Sequence, residues 1–240
     1  NKKSSNIMAK PKIAVLLSGS GVYDGSEIHE AVLTLLAIEE NGGEWFCIAP
    51  NIDQHHVVNH IDGEEMAEKR NVLIESARIA RGNVKDLKEV SADDFDALAI
   101  PGGFGAAKNL TKWAFEGPDG EINGEVKRII NETVLKNKPL AAMCMGPTVV
   151  AKALQGTDIN TTLTVGTTEK ASPYDIKAVS GGMEAAGATA KMVPVEEAVI
   201  DADNKIATAP CYMMEADIVD INKGLKKAIK QVFDWLQATS

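Results

Sequence analysis

Lys12-Ile13-Ala14-Val15-Leu16-Leu17-Ser18 is an unbroken apolar run that stops at Gly19-Ser20-Gly21, and the residues beyond it change period. From Glu27 to Asn41 the apolar positions Ile28, Ala31, Val32, Leu35, Leu36 and Ile38 recur every three or four residues, which predicts a helix with one buried face. Ser26 is placed to cap that helix, and Asn41-Gly42-Gly43 ends it before a second apolar run, Trp45 to Ala49. Strand, glycine turn, helix and strand make a βαβ unit, whose crossover lays its two strands parallel.

Working outward, the alternation continues. A charged stretch from Glu64 to Arg81 predicts a second helix, and Asp96 to Ile100 a buried strand that breaks at Pro101-Gly102-Gly103. Glu121 to Lys136 reads as an amphipathic helix ended by Lys138-Pro139, Leu140 to Met143 as a strand, and Gly146 to Leu154 as the helix after it. The last third predicts a strand at Leu163 to Val165, a helix at Ile176 to Ala186, a hairpin from Ala198 to Thr208 around Asp203-Asn204, and a closing helix from Ile218 to Leu236. Short continuous apolar runs, rather than period-two alternation, belong to strands covered on both faces. The expected fold is therefore α/β: a doubly wound, mostly parallel sheet in a flavodoxin-like three-layer sandwich.

Length and composition favour a single domain over residues 8–240, with Met8 as the native start and residues 1–7 as an added leader. No run approaches the roughly 18 apolar residues of a membrane span, so a cytoplasmic protein is expected. A net charge of −9 argues against nucleic acid and anionic membrane as partners, since both require a basic surface. Three cysteines, Cys47, Cys144 and Cys211, cannot all pair within one chain and lack the short spacing of a zinc or redox motif. Reduced thiols are expected.

In a doubly wound sheet ligands bind beyond the carboxyl ends of the strands. The richest such turn is Leu140-Ala141-Ala142-Met143-Cys144-Met145-Gly146-Pro147, where a strand runs into a single nucleophile and then into a helix. An elbow of this kind projects the sulfur from strained backbone and sets it near the positive end of the helix, which lowers a thiol's pKa. Gly146 allows a neighbouring element to approach. The competing reading makes Cys144 one more core cysteine. A second turn, Ile100-Pro101-Gly102-Gly103-Phe104-Gly105, ends the strand expected beside it, and the N–H groups of Gly103 and Met145 are the expected oxyanion donors.

PGGFGAAKNL (Pro101 to Leu110) followed by PLAAMCMGP (Pro139 to Pro147) resembles the ThiJ/PfpI superfamily of class I glutamine amidotransferase-like proteins. Within it, SGSGVYDGSEIHEAVLTLLAI (Ser18 to Ile38), RNVLIESARIARG (Arg70 to Gly82) and DNKIATAPCYM (Asp203 to Met213) are similar to the ElbB family, the enhancing-lycopene-biosynthesis or glyoxalase-like proteins. The resemblance runs from about Lys12 to the final helix. It implies a glutathione-independent glyoxalase-type reaction that converts a small dicarbonyl such as glyoxal into its hydroxy acid, with no cofactor or metal, in a homodimer. It also implies that a first-helix glutamate, here Glu30, stands beside the nucleophilic sulfur, where a carboxyl can exchange protons with thiol and substrate. The family pattern is broken at one place. Many superfamily members carry a histidine after the cysteine, whereas this chain has Met145 there and no histidine beyond His60, so a Cys-His-Asp triad is not expected. His29 is the histidine best placed to assist.

Three other readings compete. His55, His56 and His60 include an i, i+4 pair, but loop packing fits their surroundings better than a metal. Gly19-Ser20-Gly21 begins a dinucleotide fingerprint that fails where Asp24 stands in place of the third glycine. The last is a redox-sensing stress protein that uses the same cysteine without turnover.

Overall fold

The computed structural model describes residues 9–238, so the reading of residues 1–7 as a leader lies outside the described residues. In chain order the elements are β1 (Lys12–Leu16), α1 (Ile28–Glu40), β2 (Glu44–Ala49), α2 (Val72–Ala80), β3 (Val84–Asp86), β4 (Ala97–Ile100), α3 (Trp113–Glu116), α4 (Gly124–Leu135), β5 (Leu140–Met143), α5 (Gly146–Leu154), β6 (Thr162–Leu163), α6 (Ile176–Ala185), β7 (Thr189–Ala190), β8 (Val199–Asp201), β9 (Ile206–Ala209) and α7 (Ile218–Ala238). Seven strands form one sheet in the order β3-β2-β1-β4-β5-β9-β8. Every neighbouring pair is parallel except β8 on β9. Setting aside the short edge strand β3, the parallel strands follow the flavodoxin-like order, and helices cover both faces.

β4 and β5 are buried from first residue to last, which is why their sequences read as unbroken apolar runs. The chain steps from β1 out to β2 and later returns on the other side of β1 as β4. That reversal opens a crevice beyond the carboxyl ends of β1 and β4, and β5 borders it. Gly146 lets the β5–α5 elbow close against β4, because a Cβ at this position would sit 2.6 Å from the carbonyl oxygen of Ile100.

The structure departs from the sequence reading at three places. The helix expected over Glu64 to Arg81 is only α2. Residues before it form irregular loop, with isolated bridges between Asp53 and Asn71 and between Val58 and Glu65. Asn71 starts the helix by accepting the N–H of Ile74, and the charged residues upstream carry no apolar face to bury. The strand expected at Leu163 to Val165 is β6, which pairs with β7 in a separate ladder rather than joining the main sheet. Ser26 does not cap α1. Its hydroxyl accepts the N–H of Ser18, and the N-cap is Glu27, whose carboxylate accepts the N–H of Glu30 at 2.6 Å.

Candidate functional site

Three strand ends converge on one point: α1 begins after β1 with Glu27 and Glu30, Gly102 and Gly103 follow β4, and Cys144 follows β5. Cys144 still donates its N–H to Ala209 O at 3.1 Å, continuing the β5–β9 ladder, and then turns with φ 58 into the N-cap of α5, Met145. A left-handed conformation is uncommon for a residue with a side chain and costs on the order of 1–2 kcal/mol. Here ladder and helix together impose it.

No side chain at Gly102 is what lets this elbow stand so close. A Cβ at Gly102 would lie 2.3 Å from Cys144 Cβ, 2.8 Å from the Met145 nitrogen and 2.9 Å from Sγ. Gly102→Ala is therefore expected to lower stability by about 1–3 kcal/mol, the usual cost of overpacking a closed site. Urea unfolding checks it, and an unchanged midpoint would show that the turn can shift without cost.

Glu30 is fully buried. Its Oε1 accepts the N–H of Gly102 at 2.9 Å and its Oε2 the N–H of Tyr212 at 3.2 Å, so the carboxyl is locked in place. It also stands against the Cys144 thiol, and each group bears on the other's ionisation. Burial, reinforced by the neighbouring charge of Glu27, pushes its pKa up to about 8, against the pull of the two amides. Glu27 itself is raised by burial, and its N–H donates to Gly102 O at 2.9 Å, tying α1 to the β4 turn.

The thiol does not have the lowered pKa expected from the helix end. Burial pushes Cys144 well up, Glu30's charge adds to this, and the N–H of Gly103 pulls the other way with less effect. Cys144 and Glu30 each bear on the other's ionisation, so the two titrate as a pair. Cys47 is pushed up to about 12 by burial, and Cys211 is raised for the same reason. Acidity does not distinguish Cys144 from them. What does is the Gly103 N–H and the Glu30 carboxyl at its sulfur, since neither acts as a hydrogen-bond partner to the other thiols.

The Glu30 shift makes stability depend on pH. A carboxyl whose folded pKa is raised binds more protons folded than unfolded between about pH 4.5 and 8. Its contribution is intact at low pH and is lost as pH rises through that window. The melting temperature of Glu30→Gln relative to wild type is thus expected to climb from pH 5 to pH 8, and a flat difference would show that Glu30 ionises normally.

His29 lies on the exposed side of α1, with Nδ1 2.7 Å from the Tyr212 hydroxyl and its ring tilted against that of Tyr212. Of the other histidines, His55 and His56 meet edge to face with ring centres 4.5 Å apart and pack on Phe115, while Lys112 Nζ is 3.3 Å from His55 Nδ1 and His56 is 4.0 Å from Glu65. His60 stacks on Tyr23 and accepts that residue's N–H. Among the described residues no group of His, Cys, Asp and Glu is arranged to hold a metal. At Gly19-Ser20-Gly21 the glycine N–H groups a phosphate would require are already given to Ser76 Oγ and Ser26 O.

Sequence reading missed Glu27, Tyr212 and Tyr174. Glu27 had a visible signal, a carboxyl three residues ahead of Glu30 at a helix start. The tyrosines had none, because they arrive from distant turns. Tyr212 supplies a backbone N–H to Glu30, and Tyr174 packs on Phe104, with ring centres 5.7 Å apart.

The family model described as "DJ-1/PfpI family" matches residues 21–209. The ES1 protein homolog, mitochondrial, of Rattus norvegicus is 39% identical over 96% of this chain and 86% of its own length. The human glutamine amidotransferase-like class 1 domain-containing protein 3, mitochondrial, is 40% identical over 93% of this chain and 82% of its own. Among solved structures, an isoprenoid biosynthesis protein with an amidotransferase-like domain from Ehrlichia chaffeensis superposes with a TM-score of 0.85 at 34% identity, covering 94% of this chain and 99% of that one.

Proposed function

This chain belongs to the DJ-1/PfpI family, and from that premise we propose that it is a cofactor-independent, glutathione-independent glyoxalase that converts glyoxal to glycolate on Cys144. The observation that carries the reading is a fully buried carboxyl, Glu30, held by two backbone amides and set against the sulfur of a strained elbow cysteine. Cys144 keeps 4% of its surface exposed, which restricts the sulfur to small reagents. In this reading its proton passes to Glu30, the sulfur adds to one aldehyde carbon, and the amides of Gly103 and Met145 hold the oxygen that becomes charged. Glu30 returns the thiol's proton to that oxygen, giving the hemithioacetal, and as a carboxylate again it moves a proton from that carbon to its neighbour; a thioester forms, and water releases the hydroxy acid.

Glycolate formation from glyoxal by wild type, and its absence in Cys144→Ala, is the test. The second reading is redox sensing at the same cysteine. It is favoured by Cys211, a buried thiol with φ 48 that lies within electrostatic reach of Cys144. A protein that makes no glycolate but is modified at Cys144 by peroxide belongs to that class.

The proposal includes a homodimer. Ile28, Val32 and Leu36 stand exposed at successive turns of α1, an apolar stripe that a second copy would cover. Among the described residues no helix is long and apolar enough to cross a membrane, and a cytoplasmic location is part of the proposal, whereas the rat and human relatives are named as mitochondrial.

A further inference from the structure

Tyr174 is half-buried, and its segment is pinned beside the site: its N–H donates to Ser172 Oγ, that hydroxyl donates to Met213 O at 2.5 Å, and Glu215 N–H donates to Ala171 O. Its ring meets Phe104 at 69°, and Phe104 directly follows Gly103, whose N–H faces the sulfur. The charges of Cys144 and Glu30 bear on its phenol, burial keeps that phenol protonated with its pKa up to about 12, and the hydroxyl has no hydrogen-bond partner among the described residues. Tyr174 thus stands between the two turns that border the thiol, the Gly103–Phe104 turn and the 211–213 turn that holds Glu30, with its hydroxyl free to donate to a ligand there.

We propose that Tyr174 is a further catalytic residue, whose hydroxyl donates a hydrogen bond to the second carbonyl oxygen of a dicarbonyl bound at Cys144. The substrate class rests on the glyoxalase reading. The role as carbonyl donor rests on the placement of the ring. In the hemithioacetal the first oxygen lies at the Gly103 and Met145 amides. When Glu30 takes the hydrogen from the first carbon, that electron pair forms the carbon–carbon double bond, and the π pair of the second carbonyl moves onto its oxygen, where Tyr174 donates. That hydrogen ends on the second carbon and the first oxygen's proton ends on the second oxygen, so Glu30 leaves as it entered. Water then cleaves the carbon–sulfur bond, and glyoxal plus water becomes glycolic acid.

The test uses Tyr174→Phe, which keeps the Phe104 contact, and Tyr174→His, which restores a donor should the phenylalanine variant fail to fold. Two quantities are measured: kcat for glycolate, and the aldehyde concentration that half-protects Cys144 from iodoacetamide, for glyoxal and for acetaldehyde, which has no second carbonyl. Tyr174→Phe is expected to lower kcat by about 10²-fold, the effect of removing one oxyanion donor. It should raise half-protection by glyoxal about threefold to tenfold, the worth of one hydrogen bond, and leave acetaldehyde unmoved. If wild type makes no glycolate yet glyoxal protection shows this difference, the glyoxalase reading fails and Tyr174 stands as a carbonyl donor. Equal weakening for both aldehydes, or no change in either quantity, overturns the assignment; where only Tyr174→His folds, that variant protecting no better with glyoxal than with acetaldehyde, relative to wild type, does the same.

Discussion

Cys144→Ala is expected to bring glyoxal conversion down to background, a loss on the order of 10⁴-fold or more, as for removal of the nucleophile in other covalent mechanisms. Alanine is the informative replacement because it keeps the Cβ, so the left-handed turn at φ 58 costs what it did before and only the sulfur is removed. Unfolding should therefore change little while chemistry disappears. Cys47→Ala and Cys211→Ala should keep turnover: Cys47 lies inside β2, and Cys211 is fully buried beyond β9. One equivalent of iodoacetamide should label Cys144, the thiol with an amide and a carboxyl at its sulfur. Labelling of Cys211 first, with loss of activity, would mean that the wrong thiol has been assigned.

The second large effect is expected at Glu30. Glu30→Gln should lower the catalytic rate by about 10² to 10⁴, the range for loss of a positioned acid–base group, while thiol alkylation persists. The structure adds a constraint on its stability. The carboxyl accepts one N–H on each oxygen, from Gly102 and from Tyr212, but a glutamine offers a single acceptor. The amide nitrogen would face a backbone donor, costing about 1–3 kcal/mol, against which stands the removal of an ionisable group that burial disfavours. Wild-type kcat/KM should rise as the Cys144–Glu30 pair loses one proton near pH 8, and this step should vanish in Glu30→Gln. His29→Asn, whose ring contacts the Tyr212 hydroxyl at the surface, is expected to stay active. An inactive but folded His29→Asn beside an active Glu30→Gln reverses the assignment of the base.

Much of this was legible because it is local. The period of Ile28 to Ile38, the glycines after β1, β4 and β5 and the length of each apolar run are set within a few residues, and they determine α/β alternation and a strand-end nucleophile. The failures were local patterns without tertiary support. Glu64 to Arg81 has helical composition, yet only the part after Asn71 has an apolar face and a cap, so the rest stays irregular loop.

By itself, then, the sequence determined the doubly wound order of elements, the position of Cys144 on a strand-to-helix turn and, through family resemblance, Glu30 as its neighbour. Only the tertiary structure decided how those groups behave. The helix after Cys144 argued for an acidic thiol, but desolvation depends on everything packed around an atom, and here the ends of β1, β4 and β5 with the 211–213 turn close over both groups and push their pKa values up. The amides of Gly102 and Tyr212 that hold Glu30, and the Tyr174 ring that packs on Phe104, come from turns far apart in the chain. No spacing rule links them, because their nearness is set by the packing of the sheet and not by the chain that joins them.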